Sequence, residues 1–273
     1  IDKADERRGM PTPHRTLANY HTAQSWIGSS TDFGRHGAIL VGDFLFSAAT
    51  AAADEQALTL REDCAHAFSR RFADMHAEVA LGQYLDITAE QTPLDPERTD
   101  ALSTSDSLEV ALHKSAHYSV VHPALLGAIC GASSFDRVAD LLDVLETILT
   151  PWGLAFQLRD DDLGVFGDPA VTGKPAGDDL REGKRTALLA LTWEASSPAE
   201  RRALTDVLGV AEASPEQIAT ATDIVERNGR AAHEAEIARL VADGHAALEA
   251  STFDEDARAM LRELCSLLTA RRA

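Results

Sequence analysis

The most regular pattern of apolar positions lies between residues 135 and 166. Apolar side chains recur there at steps of three and four residues, which is the period of an amphipathic helix. The stripe consists of Val138, Leu141, Leu142, Leu145, Ile148, Leu149 and Trp152. The spacing predicts a long helix with one buried face, kinked or divided at Pro151 because proline has no backbone N–H donor.

Similar patterns predict helices along the rest of the chain, and no segment alternates apolar and polar residues over the length of a strand. The predicted helices cover residues 37–53, about 57–90, 108–130 with an interruption near Pro123, 223–249 and 254–270. Ser214, Pro215 and Gln217 have the spacing of an N-cap, a first-turn proline and a capping-box residue. Ala and Leu are abundant and β-branched runs are scarce, so we predict an all-α fold.

Composition limits the possible partners. The chain has 273 residues, 45% of them hydrophobic, and a formal net charge of −19. A surface this acidic repels nucleic acid and anionic membranes, so we expect no nucleic-acid partner. It would also repel a phosphorylated substrate. Any anion site must therefore be built locally, from metal ions and clustered Lys and Arg.

Cysteine usage and hydropathy indicate a cytoplasmic protein. Cys64, Cys130 and Cys265 lie far apart and have no zinc-ligand spacing, which favours free thiols in a reducing compartment. The most apolar stretch, residues 37–53, is shorter than the ~20 residues of a membrane span and carries Asp43, so we predict a buried core helix. Because the chain begins with Ile1 inside a charged segment, we expect it to be part of a longer protein.

The segment FQLRDDDLG, residues 156–164, carries the clearest chemical signal. Gln157, Asp160, Asp161 and Gly164 share one face of the predicted helix. Adjacent acids on the inner face of an apolar helix need a compensating charge, and Mg²⁺ is the cation that prefers carboxylate and phosphate oxygens. The alternative at this point is a solvated acidic turn.

The long loop that follows favours the metal site. Lys174 and Lys184 each follow a glycine in it, and ammonium groups beside an acidic metal site suit a diphosphate. The spacing is not that of a Walker A loop. Near the start of the chain, Asp2, Arg7 and Arg8 form a similar mixture of charges. Taken alone, these lysines and arginines are more typical of solvated surface residues and surface salt bridges than of a site.

Taken together, these segments resemble the polyprenyl synthetase family, whose members carry two Asp-Asp-x-x-Asp motifs on facing helices. IDKADERRGMPTPH resembles the end of the first motif, with Asp2 as its last Asp and the first two lying before Ile1. GQYLD (82–86) and KSAHY (114–118) resemble two further signatures, and FQLRDDDLG with its loop resembles the second motif. The resemblance runs from Asp2 to about Thr186, and implies a single-domain antiparallel helical bundle around a central cavity, here without its N-terminal helices.

The resemblance implies a set of site residues. Asp2 and the Asp pair before Ile1 would bind two Mg²⁺, and Asp160 with Asp161 would bind a third, or Mn²⁺ in their place. Asp178 and Asp86 would act through water. Allylic diphosphate would bind Lys114, Lys174, Lys184 and Arg7, and isopentenyl diphosphate would bind Arg8. Gln157, Ser115 and the Lys114 carbonyl would face the allylic cation, with Gln83 and Tyr118 lining the pocket. The chain departs from the family at Gly164, where the last Asp of the second motif usually stands, and at Ser115, where Thr is common.

The implied function is a homodimeric, Mg²⁺-dependent prenyltransferase that condenses an allylic diphosphate with isopentenyl diphosphate, with geranylgeranyl diphosphate as the expected product. Three alternatives remain. One is a synthase of longer polyprenyl chains. Another is a class I terpene cyclase, which the Asp run and the Gly-Lys segments disfavour. The third is a non-catalytic partner subunit, which the incomplete first motif leaves open.

Overall fold

The all-α prediction is confirmed. The structure, a computed structural model, describes residues 5–7, 9–167, 177–210 and 212–270. Its two-residue strands, β1 (Glu6–Arg7) and β2 (Met10–Pro11), pair antiparallel ahead of the helices. The α-helices are α1 (Pro13–Ala23), α2 (Ser30–Ala57), α3 (Glu62–Gln91), α4 (Thr104–Ala111), α5 (His122–Gly131), α6 (Ala139–Phe166), α7 (Asp178–Glu182), α8 (Ala187–Ala195), α9 (Pro198–Thr205), α10 (Pro215–Asn228), α11 (Arg230–Ala250) and α12 (Glu255–Thr269). Short 3₁₀ turns occur at Thr99–Ala101 and Phe135–Arg137.

Helix α6 is the central element, and its predicted apolar stripe faces the core. Ile148, Leu149 and Trp152 are fully buried, and the Trp152 indole donates to the Val241 carbonyl of α11 at 3.2 Å. Pro151 does not divide the helix, which runs without a break from Ala139 to Phe166. Buried side chains on both sides of Pro151 hold the two halves in place, so the loss of one N–H donor is tolerated.

The C-terminal helices follow the sequence pattern with one correction. The capping box predicted at Ser214 and Gln217 is present, with both hydrogen bonds formed. The helix predicted for 223–249 is wrong as a single element, because α10 ends at Asn228 and α11 begins at Arg230. Gly229 lies between them, and glycine is among the residues that least favour a helix.

Helix α2 contradicts the prediction of a buried core helix. It packs against α1 and α3, and most of its apolar residues face outward. By length and composition alone it could cross a membrane. The mean hydropathy of its 18-residue apolar window is 1.3, and 0% of that window is buried. Asp43 lies within it, and a charge at the centre of a bilayer costs about 2.5–3.5 kcal/mol. The hydropathy pattern therefore identified an apolar helix, but could not identify what covers it.

Residues Leu112–Val121 form a π-helix between α3 and α6. The chain stays helical through the predicted interruption near Pro123, but its winding changes, and the His122 N–H donates to the carbonyl of His117, five residues back. On one side, a Cβ on Gly82 of α3 would lie 2.4 Å from the Lys114 backbone nitrogen. On the other side, a Cβ on Gly153 of α6 would lie 2.9 Å from the Ala116 carbonyl oxygen. The segment is therefore clamped by direct backbone contact on two sides.

We predict that Gly82→Ala separates α3 from the π-helix. The added methyl group would overlap backbone atoms, which cannot move aside as a flexible side chain can, so the free energy of unfolding should fall by about 1–3 kcal/mol. Gly127→Ala is the matched control, because a Cβ there meets nothing within 4 Å and alanine favours a helix. Thermal and denaturant unfolding of both variants checks this. Equal stability of the two would contradict the close packing at Gly82.

Candidate active site

The first charged pair of the site joins α3 to the π-helix. Lys114 Nζ lies 2.7 Å from Asp86 Oδ1, and the two side chains are only 12% and 13% exposed. Gly82 lies one turn before Asp86 on α3. The close contact between Gly82 and the Lys114 backbone therefore brings Asp86 and Lys114 together. The pair fixes the position of the Lys114 ammonium group. The charge of this group also acts on Asp161 of α6.

Asp161 of α6 is a strongly perturbed carboxyl of this region. Gln157 Nε2 donates to its Oδ1 at 2.8 Å, across one helical turn. Burial raises the pKa of Asp161 to about 7; the charges of Asp179 and Asp160 add to this effect, while Lys114 and the Gln157 hydrogen bond oppose it. The carboxylate is therefore short of positive charge in the protein alone.

The three consecutive acids of α6 point to different surroundings. Asp160 is exposed and acts electrostatically on Asp161. Asp162 is buried on another side of the helix, with its oxygens 3.9 Å from Arg159 Nη1 and 3.5 Å from Arg230 Nε. Asp160 and Asp161 thus belong to one cluster, whereas Asp162 belongs to a separate ion-pair network.

Asp179 belongs to the same cluster, although the sequence pattern did not single it out. It lies on α7, and a Cβ on Gly164 would be 2.0 Å from its Oδ2. The Asp179 carboxylate therefore fills the space beside Gly164, the position where the second motif usually has its last Asp. The sequence signal was the pair Asp178-Asp179. The resemblance implied Asp178, which is half-buried, whereas Asp179 is buried.

Lys184 extends the cluster beyond α7. Its Nζ is 3.1 Å from Glu182 Oε2 and 3.8 Å from Asp179 Oδ1. Glu90 of α3 faces the same region: burial raises its pKa and the Asp86 charge adds to this, while Lys184 and Lys114 oppose it. Both lysines therefore lie among carboxylates from three separate parts of the chain.

The remaining predicted site residues lie at the edge of this cluster or outside the described residues. Gln83 and Ser115 are half-buried, and Tyr118 is 49% exposed. Arg7 is exposed on β1. Asp178 is the first residue of α7. Asp2, Arg8 and Lys174 lie outside the residues that the structure describes.

The donor set is suited to a hard divalent cation. Asp160, Asp161 and Asp179 contribute carboxylates to one region, and carboxylate oxygens are the ligands that Mg²⁺ prefers. The pKa of Asp161 near 7 is that of a buried carboxylate without enough compensating charge, which a cation would supply. The charge of Lys114 acts on Asp161 and Lys184 lies near Asp179, so an anion held there would meet positive charge.

Comparison with known proteins identifies relatives of this chain. The polyprenyl synthetase family profile matches residues 1–225. The chain is 30% identical over 230 residues to a geranylfarnesyl diphosphate synthase of Aeropyrum pernix, covering 84% of this chain and 62% of that protein. It is 31% identical over 234 residues to a geranylgeranyl diphosphate synthase of Mycobacterium tuberculosis, covering 84% and 61%. The chain therefore spans less than two thirds of the length of these relatives.

A solved structure extends the likeness to the whole chain. A geranylgeranyl pyrophosphate synthase from Corynebacterium glutamicum, complexed with isoprenyl diphosphate and magnesium, matches with a TM-score of 0.87 and 38% identity. The match covers 100% of this chain and 73% of that one. The family profile covers well over half of the residues. The chain belongs to the polyprenyl synthetase family.

Proposed function

We propose that this protein is a magnesium-dependent trans-prenyltransferase that condenses an allylic diphosphate with isopentenyl diphosphate. The observation that carries the proposal is the convergence of Asp160, Asp161 and Asp179 with Lys114 and Lys184. Such a site holds a diphosphate between cations and stabilises the charge that develops as it leaves. Geranylgeranyl diphosphate is the product we propose, because several relatives carry that name.

The side chains of the site have different chemical roles. Lys114 and Lys184 bind the leaving diphosphate, and Asp86 orients Lys114 through their 2.7 Å ion pair. Gln157 donates its amide N–H to Asp161, so its carbonyl oxygen is the end that remains for the allylic cation. Ser115 and the Lys114 carbonyl are further dipoles for that cation, and Gln83 and Tyr118 line the prenyl pocket. Arg7 and Lys174 complete the allylic diphosphate site, and Arg8 binds isopentenyl diphosphate.

Mg²⁺ is the cofactor we propose, with Mn²⁺ as a substitute. Asp160, Asp161 and Asp179 would hold it on this side of the site and Asp2 on the other, with Asp178 and Asp86 in support. The ions, three in the full site, would neutralise the diphosphate as the C–O bond breaks. In this arrangement Asp179 supplies the carboxylate that Gly164 lacks.

A homodimer accounts for the exposed face of α2. Ile39, Leu40, Phe44, Leu45 and Phe46 are each more than half exposed on this helix. Contiguous apolar surface of this kind marks an interaction site. A second copy of the chain, pairing α2 with α2, would cover it. Burial in a dimer, together with free thiols at Cys64, Cys130 and Cys265, fits the proposed cytoplasmic location.

We predict that Asp161→Asn weakens the dependence on metal while the adjacent Asp162→Asn does not. Loss of a group that only supports a metal ligand typically weakens metal binding by roughly 10–100-fold. Removing a ligand charge should therefore raise the Mg²⁺ concentration for half-maximal prenyl transfer by at least that factor. Asp162 faces Arg159 and Arg230, so its variant should lower the melting temperature and leave the magnesium dependence unchanged. Initial rates over a magnesium series, with chromatography of the dephosphorylated products, test this. Identical magnesium curves for the two variants would contradict the assignment.

The lysine roles predict a second kinetic effect. Lys184→Ala should lower kcat/KM for the allylic substrate, because one charged hydrogen bond contributes about 1.5–3 kcal/mol, or roughly tenfold to more than a hundredfold in rate. Arg70→Ala on α3 is the control, since its exposed pair with Asp74 lies outside the site. Normal kinetics for Lys184→Ala would show that this lysine is a surface residue.

The dimer is tested by a charge on α2. Phe44→Asp should convert the protein to a monomer at micromolar concentration, because burying a Phe side chain contributes about 1.5–3 kcal/mol in each copy. Met260→Asp is the matched control, since Met260 is 71% exposed on a different helix, α12. Size-exclusion chromatography with light scattering measures the mass. A dimer that persists in Phe44→Asp places the interface elsewhere.

A further inference from the structure

We call the site formed by Asp160, Asp161 and Asp179 the aspartate site. A second polar cluster lies away from it and has no role in the proposed reaction. Glu78 of α3 faces three imidazoles. Its Oε1 is 2.6 Å from His113 Nδ1 and 2.6 Å from His117 Nδ1, and its Oε2 is 2.7 Å from His122 Nε2. The ligand atoms of Glu78, His117 and His122 all lie within 4.8 Å of one another.

The π-helix is what brings the three histidines together. His113 and His122 are nine residues apart, which is roughly two and a half turns of an α-helix with 3.6 residues per turn, so in an α-helix they would lie on opposite faces. The i→i+5 winding of Leu112–Val121 has more residues in each turn, and it returns His122 to the side of His113 and His117. Sequence spacing alone therefore concealed the cluster.

The surroundings favour a bound cation. The His122 side chain is 6% exposed, that of His117 15%, and that of Glu78 21%. Burial raises the pKa of Glu78, but the hydrogen bonds from His122, His113 and His117 outweigh it and lower the pKa to about 2. Glu78 is therefore ionised, with three nitrogen ligands converging on it. On the outer side, His113 Nε2 lies 3.0 Å from Glu109 Oε1. A carboxylate on the second ring nitrogen is the usual support of a metal-bound histidine.

We propose that Glu78, His117 and His122, with His113 as the fourth ligand, form a zinc site that is separate from the aspartate site. Imidazole nitrogen with one carboxylate suits Zn²⁺, whereas Mg²⁺ prefers oxygen ligands alone. In the metal-bound form, the ion takes the place of the protons that now link each imidazole to Glu78. In a neutral imidazole, that proton moves to the other ring nitrogen, and an imidazolium releases it to solvent, so binding needs no redox partner.

The position of the cluster defines what the zinc would do. Glu78 and Asp86 lie eight residues apart on α3, or about 12 Å along the helix. His113 directly precedes Lys114 on the π-helix. A metal at the cluster would tie α3 to the π-helix and to the start of α5. It would thereby hold the segments that position Asp86 and Lys114 without contacting the diphosphate.

The test is zinc binding by tag-free, chelator-treated protein in excess Mg²⁺, which occupies the aspartate site. Calorimetry and metal analysis should find one zinc per chain, with a raised melting temperature. His117→Gln retains an N–H donor toward Glu78 but is a poor zinc ligand, so it should bind zinc at least tenfold more weakly. His76→Gln is the control, since His76 lies on α3 but bonds to the Phe72 carbonyl. Zinc affinity that is equal in both variants would overturn the proposal.

X-ray absorption at the zinc edge tests the ligands without any variant, so the proposal stays decidable even where His117→Gln fails to fold. Scattering from at least two imidazoles is the expected result. A spectrum with oxygen ligands alone, or zinc binding that Asp161→Asn abolishes, would place the ion at the aspartate site. Either result, or no binding, would leave the cluster as a hydrogen-bonded network.

Discussion

The contact between α3 and the π-helix at Gly82 is the constraint on which both polar clusters depend. Backbone meets backbone there, so the register between the two helices cannot slide as it could across flexible side chains. One turn after Gly82, Asp86 reaches Lys114, and one turn before it, Glu78 reaches His113 and His117. Gly153 holds the opposite side of the π-helix against α6, where the aspartates lie.

An acidic protein that binds a diphosphate needs positive charge held in place before the substrate arrives. The chain carries a formal net charge of −19, and both described lysines of the site are already paired with carboxylates, Lys114 with Asp86 and Lys184 with Glu182. These pairs reduce the cost of burying the ammonium groups and fix their positions. They also neutralise part of the positive charge that would attract an anion. The proposed site therefore depends on divalent metal for most of its positive charge.

Local patterns predicted the elements whose cause is local. The stripe of α6, the capping box at Ser214 and the shared face of Gln157 and Asp161 all follow from helical periodicity. The features that the sequence could not reveal depend on partners distant in the chain. The π winding results from packing against α3 and α6, and the alignment of His122 results from that winding. The exposure of α2 depends on which other elements pack against it. Hydropathy carries no information about those elements.

The carboxylate beside Gly164 comes from Asp179 and not from position 164 itself, and this difference has a mechanistic consequence. A carboxylate at position 164 would be fixed by α6, together with Asp160 and Asp161. Asp179 instead comes from α7, the same short segment that leads to Lys184, whose Nζ is 3.8 Å from Asp179 Oδ1. In the proposed enzyme, a metal ion that binds Asp179 therefore also positions the segment carrying Lys184. In that enzyme, metal and diphosphate binding would be coupled through α7, because each ligand would stabilise the arrangement that the other requires.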